Sequence, residues 1–380
     1  MPKLTLTFLY MEREHIGKDV SCVPYYLGQA LGYDVEIVSL TSATNRNFPV
    51  ENDGIRYKFL FRRGDRKNGW YKLVFFWWYL VCNARKIDIL MRFHYSIPTI
   101  IEAIIYKIFN PDGKVYVKCD TDHHIAEKFP QRKGIKEGIR RLLYKKGIAA
   151  IDVISCETSK AYALMTKSDS PYFAFRDKLV YVPNGFDETS LRKTPIKIKS
   201  FDEKENKIIT VGRLGTKQKN TDMLLESLAH INPAGWKFYF IGPIEPAFQS
   251  KIDRFYKNFP DKLSSIIFTG PIHDKQKLWE HYNSAKVFVL TSRWESYGLV
   301  LVEARRFGCY LVSTDVGAAR DLIGNNECGE YIKQEDAVGL QQALQRIIDL
   351  QTPINTTIGM PVELSWEHVL YPVIEKLRQK

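Results

Sequence analysis

The chain has 380 residues, 45% of them hydrophobic and 26% charged. That length holds two or three domains at about 150 residues each, and the composition argues against disorder over most of it. The net charge of +12 sits almost wholly in the first half: residues 1–183 carry 29 Lys and Arg against 19 Asp and Glu, and the remainder carries 26 against 24. A basic surface in the first half therefore faces an anionic partner, with nucleic acid, a phospholipid surface and a pyrophosphate-linked substrate as the three classes.

The start MPKLTLTFLYMERE turns polar after a short apolar stretch, unlike a signal peptide. Cys22, Cys82, Cys119, Cys156, Cys309 and Cys328 lack CxxC spacing, which argues against a disulfide framework or a structural zinc site. A reducing, cytoplasmic setting follows as the expectation. Short apolar runs then alternate with amphipathic stretches. Strands are expected at 4–10, 34–40, 87–93, 114–118, 153–156 and 179–182, and again at 207–211, 237–241, 266–269, 287–291 and 310–314. Helices are expected between them, among others at 221–230, 275–284 and 300–307. Two such sets predict an α/β chain with two Rossmann-like, doubly wound parallel-sheet domains facing a cleft. Residues 1–183 form the first domain. The polar, aperiodic stretch 184–206 reads as a linker and 207–362 as the second domain. The amphipathic segment 363–380 follows, with Ser365 as its helix cap.

Two motifs in the second half carry the chemistry. In TSRWESYGLVLVEARRFG (291–308) a buried strand runs into a short loop and then a helix. Glu295 lies in the loop, and Glu303 follows eight positions later inside the helix. The unpaired N–H groups around Ser296, Tyr297, Gly298 and Leu299, with the positive end of the helix dipole, suit a diphosphate. A carboxylate within reach of a ribose can accept from both hydroxyls, and another in the loop can meet a sugar. The plainer alternative is that Glu295 caps the helix and Glu303 is simply exposed. In VGRLGTKQKNTDMLLESL (211–228) a second strand, loop and helix place Arg213, Lys217 and Lys219 together, a charge clamp for phosphate oxygens or a solvated basic loop.

Taken together, GRLxxxxK at 212–219, the ESYGLVLVE pair, TDVGAARDLI at 314–323, FTG at 268–270, PNGFD at 183–187 and the closing Trp-containing helix resemble glycosyltransferase family 4, retaining enzymes of the GT-B fold. The resemblance spans most of 183–380; the first half shares only the general layout. It implies that Arg213 and Lys219 hold the diphosphate of a sugar donor, that Tyr297–Leu299 add backbone contacts, and that Glu303 binds the ribose. Glu295 would contact the transferred sugar, the base would lie near Ile272, and the final helix would cross back onto the first domain.

In the first half, Gly17 in EREHIGKDV matches the family's glycine loop after the first strand, where a helix start can meet donor phosphate or acceptor. A plain turn is the alternative. The family places a histidine at a strand end facing the sugar, and here the sequence departs: CDTDHH (119–124) sets Asp120 or Cys119 there, with His123 and His124 beyond. Asp120 can hydrogen-bond a sugar hydroxyl, and His94 is another strand-end candidate. DTD also resembles the DxD metal motif of the other large glycosyltransferase fold. A cationic clamp already neutralises a diphosphate, however, so neither a metal nor any other cofactor is expected beyond the donor substrate itself.

Residues 62–86 hold LVFFWWYLVC between cations. That is too short to span a bilayer, which needs about 20 apolar residues. It reads either as a buried helix or as an interfacial one, with Trp70, Trp77 and Trp78 at headgroup level and Arg62, Arg63, Arg66, Lys67 and Lys72 near anionic lipid. A second basic helix, 131–148, completes the charge excess. The expected function is retaining transfer of a sugar from a UDP- or GDP-sugar to a hydroxyl of a glycan acceptor, lipid-linked, in surface polysaccharide or glycolipid assembly. The place is the cytoplasm, peripheral on the inner face of the membrane. A nucleotide-sugar epimerase on the same fold is the alternative. A nucleic-acid-binding protein lacks any supporting signature, so no nucleic acid partner is expected.

Overall fold

In the computed structural model, residues 1–60, 72–120, 135–170, 173–324, 326, 328–350, 354 and 362–379 are described, and side chains are described for all of these except 135–141 and 362. His123, His124, Trp70, Arg62, Arg63, Arg66 and Lys67 fall outside that set. The chain divides into two compact units, Met1–Asp187 with Ser365–Lys380, and Glu188–Leu364.

The first unit is built on an eight-stranded sheet. Its strands are β1 (Lys3–Phe8), β2 (Asp34–Leu40), β3 (Glu51–Asn52), β4 (Ile55–Leu60), β5 (Ile89–Phe93), β6 (Lys114–Cys119), β7 (Val153–Cys156) and β8 (Leu179–Tyr181), ordered β3-β4-β2-β1-β5-β6-β7-β8. Every pairing is parallel except the short β3–β4. Parallel strands are covered on both faces: β5 is buried throughout, and β1 is buried except at its ends, Lys3 and Phe8. Leu4 and Leu6 of β1 point to a core shared with the helix Asp19–Leu31 and the C-terminal helices Trp366–Val369 and Tyr371–Arg378. Val38, Leu90 and Val115 point to the other, shared with Leu73–Asn83, Ile97–Phe109 and Ser159–Met165.

The second unit carries β9 (Glu205–Val211), β10 (Lys237–Ile241), β11 (Ile266–Gly270), β12 (Ala285–Leu290), β13 (Tyr310–Thr314) and β14 (Gly329–Ile332), all parallel, in the order β11-β10-β9-β12-β13-β14. In each sheet the chain leaves one strand toward one edge and later returns to build outward on its other side. The reversal falls between β1 and β5 in the first sheet and between β9 and β12 in the second. Ligands of open α/β sheets bind beyond the strand ends at such points. The loops there hold Gly17 and His94 in one unit, and Arg213, Lys219 and Glu295 in the other.

Three strands escape the sequence reading: β3, β4 and β14. In β4, buried Ile55 and Tyr57 alternate with exposed Arg56 and Lys58, a near-edge pattern unlike the continuous apolar runs of its neighbours. Within 184–206 a helix forms at Glu188–Arg192, and its Glu188 pairs with Arg306 of the second unit. Ser365 caps the C-terminal helix, accepting from the His368 amide. Trp366 donates its amide to the Phe186 carbonyl at 3.2 Å and is 2% exposed.

The helix Leu73–Asn83 is buried along one side, in line with the first reading of its segment. Phe76, Tyr79 and Leu80 are buried, while Val74, Trp78 and Val81, at i, i+4 and i+7, are exposed, Trp78 by 68%. No helix among the described residues is long and apolar enough to cross a membrane. Replacing Trp366 by Ala removes a full core side chain and should cost roughly 3–5 kcal/mol of stability. Trp78→Ala should stay within about 0.5 kcal/mol. Urea-unfolding midpoints of the two variants check the contrast.

Candidate functional site

In the second unit the loops after β9 and β12 meet through charge. The Lys219 ammonium lies 2.6 Å from Glu295 Oε1, and the two side chains are 16% and 9% exposed. Ser292 donates its hydroxyl to the same oxygen at 2.6 Å, and Gln218 Nε2 reaches Oε2 at 3.4 Å and the Trp294 carbonyl at 3.1 Å. Thr291 anchors the other side of the loop by donating to the Lys219 and Asn220 carbonyls. Glu295 is therefore a buried, ion-paired carboxylate and no helix cap; the cap position belongs to Gly298.

Arg213 is exposed and donates to Gln218 Oε1 at 3.2 Å, and Lys217 is exposed. Of the three cations in this loop, Lys219 is thus seated in an ion pair, and Arg213 and Lys217 are exposed. Asn220 takes the cap position of the following helix in left-handed backbone, with Thr221 as the first helical residue.

The loop 292–298 turns into the helix Leu299–Arg306. Ser296 is exposed and Tyr297 buried. Gly298 has φ 88°, a conformation that favours glycine. The loop after β13 fixes this turn: Ala318 donates its amide to the Tyr297 carbonyl at 2.8 Å, and a Cβ on Gly317 (φ 52°) would lie 2.3 Å from that oxygen. The N–H groups of Leu299 and Val300 precede the first bond of the helix, which Leu301 donates to the Gly298 carbonyl at 2.8 Å, and the positive end of the helix lies with them.

About one turn into the same helix, Glu303 is half-buried and accepts from the Tyr282 hydroxyl at 3.1 Å. Burial first, then the charge of Glu303, holds the Tyr282 phenol well above its ordinary range, so it stays a donor. Ile272 is half-buried between Gly270 and Asp274, which caps the helix Lys275–Ser284. Gln218, Ser292 and Tyr282 escape the sequence reading. The first two had a signal, since each adjoins a motif residue; Tyr282 had none.

In the first unit, the separate strand-end candidates gather around one residue that the sequence reading did not weigh. Lys118, near the end of β6, is fully buried, and its ammonium contacts Glu157, Asp19 at 3.4 Å and Asp120 at 3.5 Å. One oxygen from each of the three carboxyls lies within 4.8 Å of the others. Burial opposes the charge on Lys118, but Glu157, Asp120 and Asp19 outweigh it and keep the ammonium protonated. Burial pushes Glu157 well above the usual carboxylate range, against Lys118 and with Asp120 adding to the rise. Burial also acts to raise Asp120, but the Lys118 charge and a hydrogen bond from Glu157 hold it at about 2. At neutral pH Asp120 is thus ionised beside the Lys118 ammonium, while burial favours the neutral form of Glu157.

Asp19 opens the helix that follows the Gly17 turn, where Gly17 (φ 77°) donates its amide to Ser21 Oγ at 2.8 Å. That bond engages the Gly17 N–H within its own turn. His94 is exposed at the end of β5, and its amide donates to the Lys118 carbonyl at 2.9 Å. Gly17, through Asp19, and His94 and Asp120 therefore converge, whereas Cys119 is buried in the core.

Residues 192–357 match the family model for Glycosyl transferases group 1. The chain is similar to the amylovoran biosynthesis glycosyltransferase AmsD of Erwinia amylovora, 26% identical over 178 residues, which are 45% of this chain and 48% of that protein. It therefore matches about half the length of that curated relative. Among solved structures it is similar to the apo lipopolysaccharide outer core galactosyltransferase WaaB (TM-score 0.68, 14% identity, 99% of each chain). It is also similar to Anabaena HepE in complex with UDP and glucose (TM-score 0.65, 14% identity, 99% of each chain). The fold is thus that of the GT-B glycosyltransferases, two parallel-sheet α/β domains.

The Lys118 cluster gives a stability test. Lys118→Met strands a buried group of carboxyls without its cation and should cost roughly 3–5 kcal/mol. Adding Glu157→Gln should recover part of that loss. Urea denaturation at pH 7 reads both.

Proposed function

We propose that the chain is a retaining glycosyltransferase that moves a sugar from a nucleoside diphosphate donor, a UDP- or GDP-sugar, to a hydroxyl of a glycan acceptor. The observation that carries this reading is the seating of Lys219 against Glu295, beside an open helix N-terminus, where the strand order of the second sheet reverses. The match of 192–357 to Glycosyl transferases group 1 covers the same elements, and HepE, on the same fold, is solved with UDP and glucose.

In this reading Arg213, Lys219 and the N–H groups from Ser296 to Leu299 bind the diphosphate, and Glu303, steadied by Tyr282, takes the ribose hydroxyls. Glu295 faces the sugar, and the base lies beside Ile272. The bond between the anomeric carbon and the diphosphate oxygen breaks, and the acceptor oxygen bonds to that carbon on the same face. The acceptor proton passes to a diphosphate oxygen. Charge develops on the leaving group, so the fixed cation and the helix terminus supply the main catalytic stabilisation. No metal or other cofactor takes part in this scheme.

The first unit takes the acceptor, with Asp120 and His94 as hydrogen-bonding groups at the strand ends and Gly17 shaping the neighbouring turn. The acceptor is lipid-linked, and the reaction belongs to surface polysaccharide or glycolipid assembly. The exposed stripe Val74, Trp78 and Val81 supports a peripheral place on an anionic cytoplasmic leaflet, because an apolar side beside a basic segment favours the headgroup region.

Lys219→Ala should lower turnover about 100- to 1,000-fold, the usual effect of losing one such stabilising donor. A wild-type rate in a donor-consumption assay with UDP- and GDP-sugars would overturn the assignment. Co-sedimentation should favour vesicles containing phosphatidylserine over neutral ones, and Trp78→Ala should reduce it. Equal partitioning onto both vesicle types would sink the membrane reading.

A further inference from the structure

One arginine at the rim of the second sheet bonds to two other loops at once. Arg293 donates through its Nε and one terminal nitrogen to the two carboxylate oxygens of Glu335, at 2.6 and 2.9 Å. Its other terminal nitrogen donates to the Lys217 carbonyl at 2.7 Å, and its amide to the Gln218 carbonyl at 2.8 Å. Its own carbonyl accepts from Gln334 Nε2 at 2.8 Å. Asn220 Nδ2 also reaches Glu335 Oε1, at 3.4 Å.

The partners come from the loop after β9 and the loop after β14, while Arg293 belongs to the loop after β12. Lys217 and Gln218 immediately precede Lys219, and Gln218 in turn touches Trp294 and Glu295. The backbone held by Arg293 is therefore the stretch that carries the ammonium facing Glu295. Glu335 (φ 59°) and Asn220 (φ 47°) both adopt left-handed backbone. That conformation is unfavourable for a side chain such as that of Glu335 and persists where its surroundings enforce it. Only a guanidinium can hold both carboxylate oxygens and a carbonyl together, because its planar fork offers several fixed donors where an ammonium is a single point.

We infer that Arg293, oriented by Glu335, is a positioning residue of the donor site, one that fixes the cationic loop 213–219 at the distance from Glu295 needed to receive a diphosphate. This inference rests on the donor reading above. Arg293 acts through Lys219 and Gln218 and touches no reacting atom. The effect of losing it should fall on recognition of the diphosphate and leave recognition of the base and ribose alone, since Glu303 and Ile272 are carried by other segments.

Calorimetric titration of the full chain tests this, with UDP and GDP as diphosphate probes and uridine and guanosine as probes without phosphate. Glu335 is 58% exposed, so Glu335→Ala is the variant expected to fold without difficulty; Arg293→Ala, Arg293→Lys and the double alanine variant accompany it. In the single variants, affinity for the diphosphate that wild type binds should fall about tenfold or more, with nucleoside affinity unchanged. Arg293→Lys should behave nearly as Arg293→Ala. The double variant should lose no more than the worse single one, because the two residues act as a unit. Wild-type diphosphate affinity in Glu335→Ala or Arg293→Ala overturns the inference, and so does an equal loss toward nucleoside and diphosphate, which marks general damage. Wild type that binds neither diphosphate overturns the donor reading, and this inference with it.

Discussion

Reversal of strand order in a parallel sheet opens a gap, beyond the strand ends, that the strand ladder does not close. At β9 and β12 the two adjacent strands send their following loops toward opposite edges, and no main-chain ladder joins what lies beyond them. Here an ion pair spans the gap. Lys219 and Glu295, both largely out of water, fix the two loops against each other, and Ser292, Thr291 and Gln218 secure each end. The open helix terminus at Leu299 and the glycine turn at Gly298 take their places from that junction. Removing either charge leaves the other in a half-dry position, a more costly state than either pairing or full exposure.

The first sheet meets the same constraint near β1 and β5 with a different solution. There the charge is a lysine wholly inside the protein, faced by the carboxyl groups of Asp120, Asp19 and Glu157. The two units thus share a geometry while differing in electrostatic sign. The second presents cations outward, through Arg213 and Lys217, around one paired lysine. The first turns its lysine inward and leaves carboxyl groups and a histidine nearest the strand ends.

Much of this was legible in the sequence, for a physical reason. Central parallel strands are buried on both faces, so runs such as KVFVL and YLVST announce themselves without an alignment, and the loops that follow them are where chemistry sits. Arg213, Lys219, Glu295 and Glu303 could be singled out because each lies in the loop or helix that follows such a run. β4 was not legible, because IRYKFL alternates as a near-edge strand does, nor was β14, whose four residues carry too little pattern. Lys118 was passed over because a lysine near the end of an apolar strand reads as its solvent-exposed end; its partners come from 19, 120 and 157, distant in sequence and adjacent only once the sheet is built. Arg293 and Glu335 were hidden for the same reason. What spacing along the chain cannot carry is pairing across parallel strands, whose neighbours are always remote in sequence.

The return of Ser365–Lys380 to the first unit bears on how the protein is made. Trp366, Val369, Val373 and Ile374 belong to the same core as Leu4, Leu6 and Val23, so the first unit is assembled from two stretches that the whole second unit separates in sequence. During synthesis its sheet emerges early, yet the helix Asp19–Leu31 keeps an uncovered apolar side until the whole second unit has left the ribosome. The second unit, continuous from Glu188 to Leu364, has no such wait. The order of emergence and the order of completion are therefore opposite: the unit translated first is the one sealed last, and its unfinished face is the nascent chain's point of greatest exposure to misassembly.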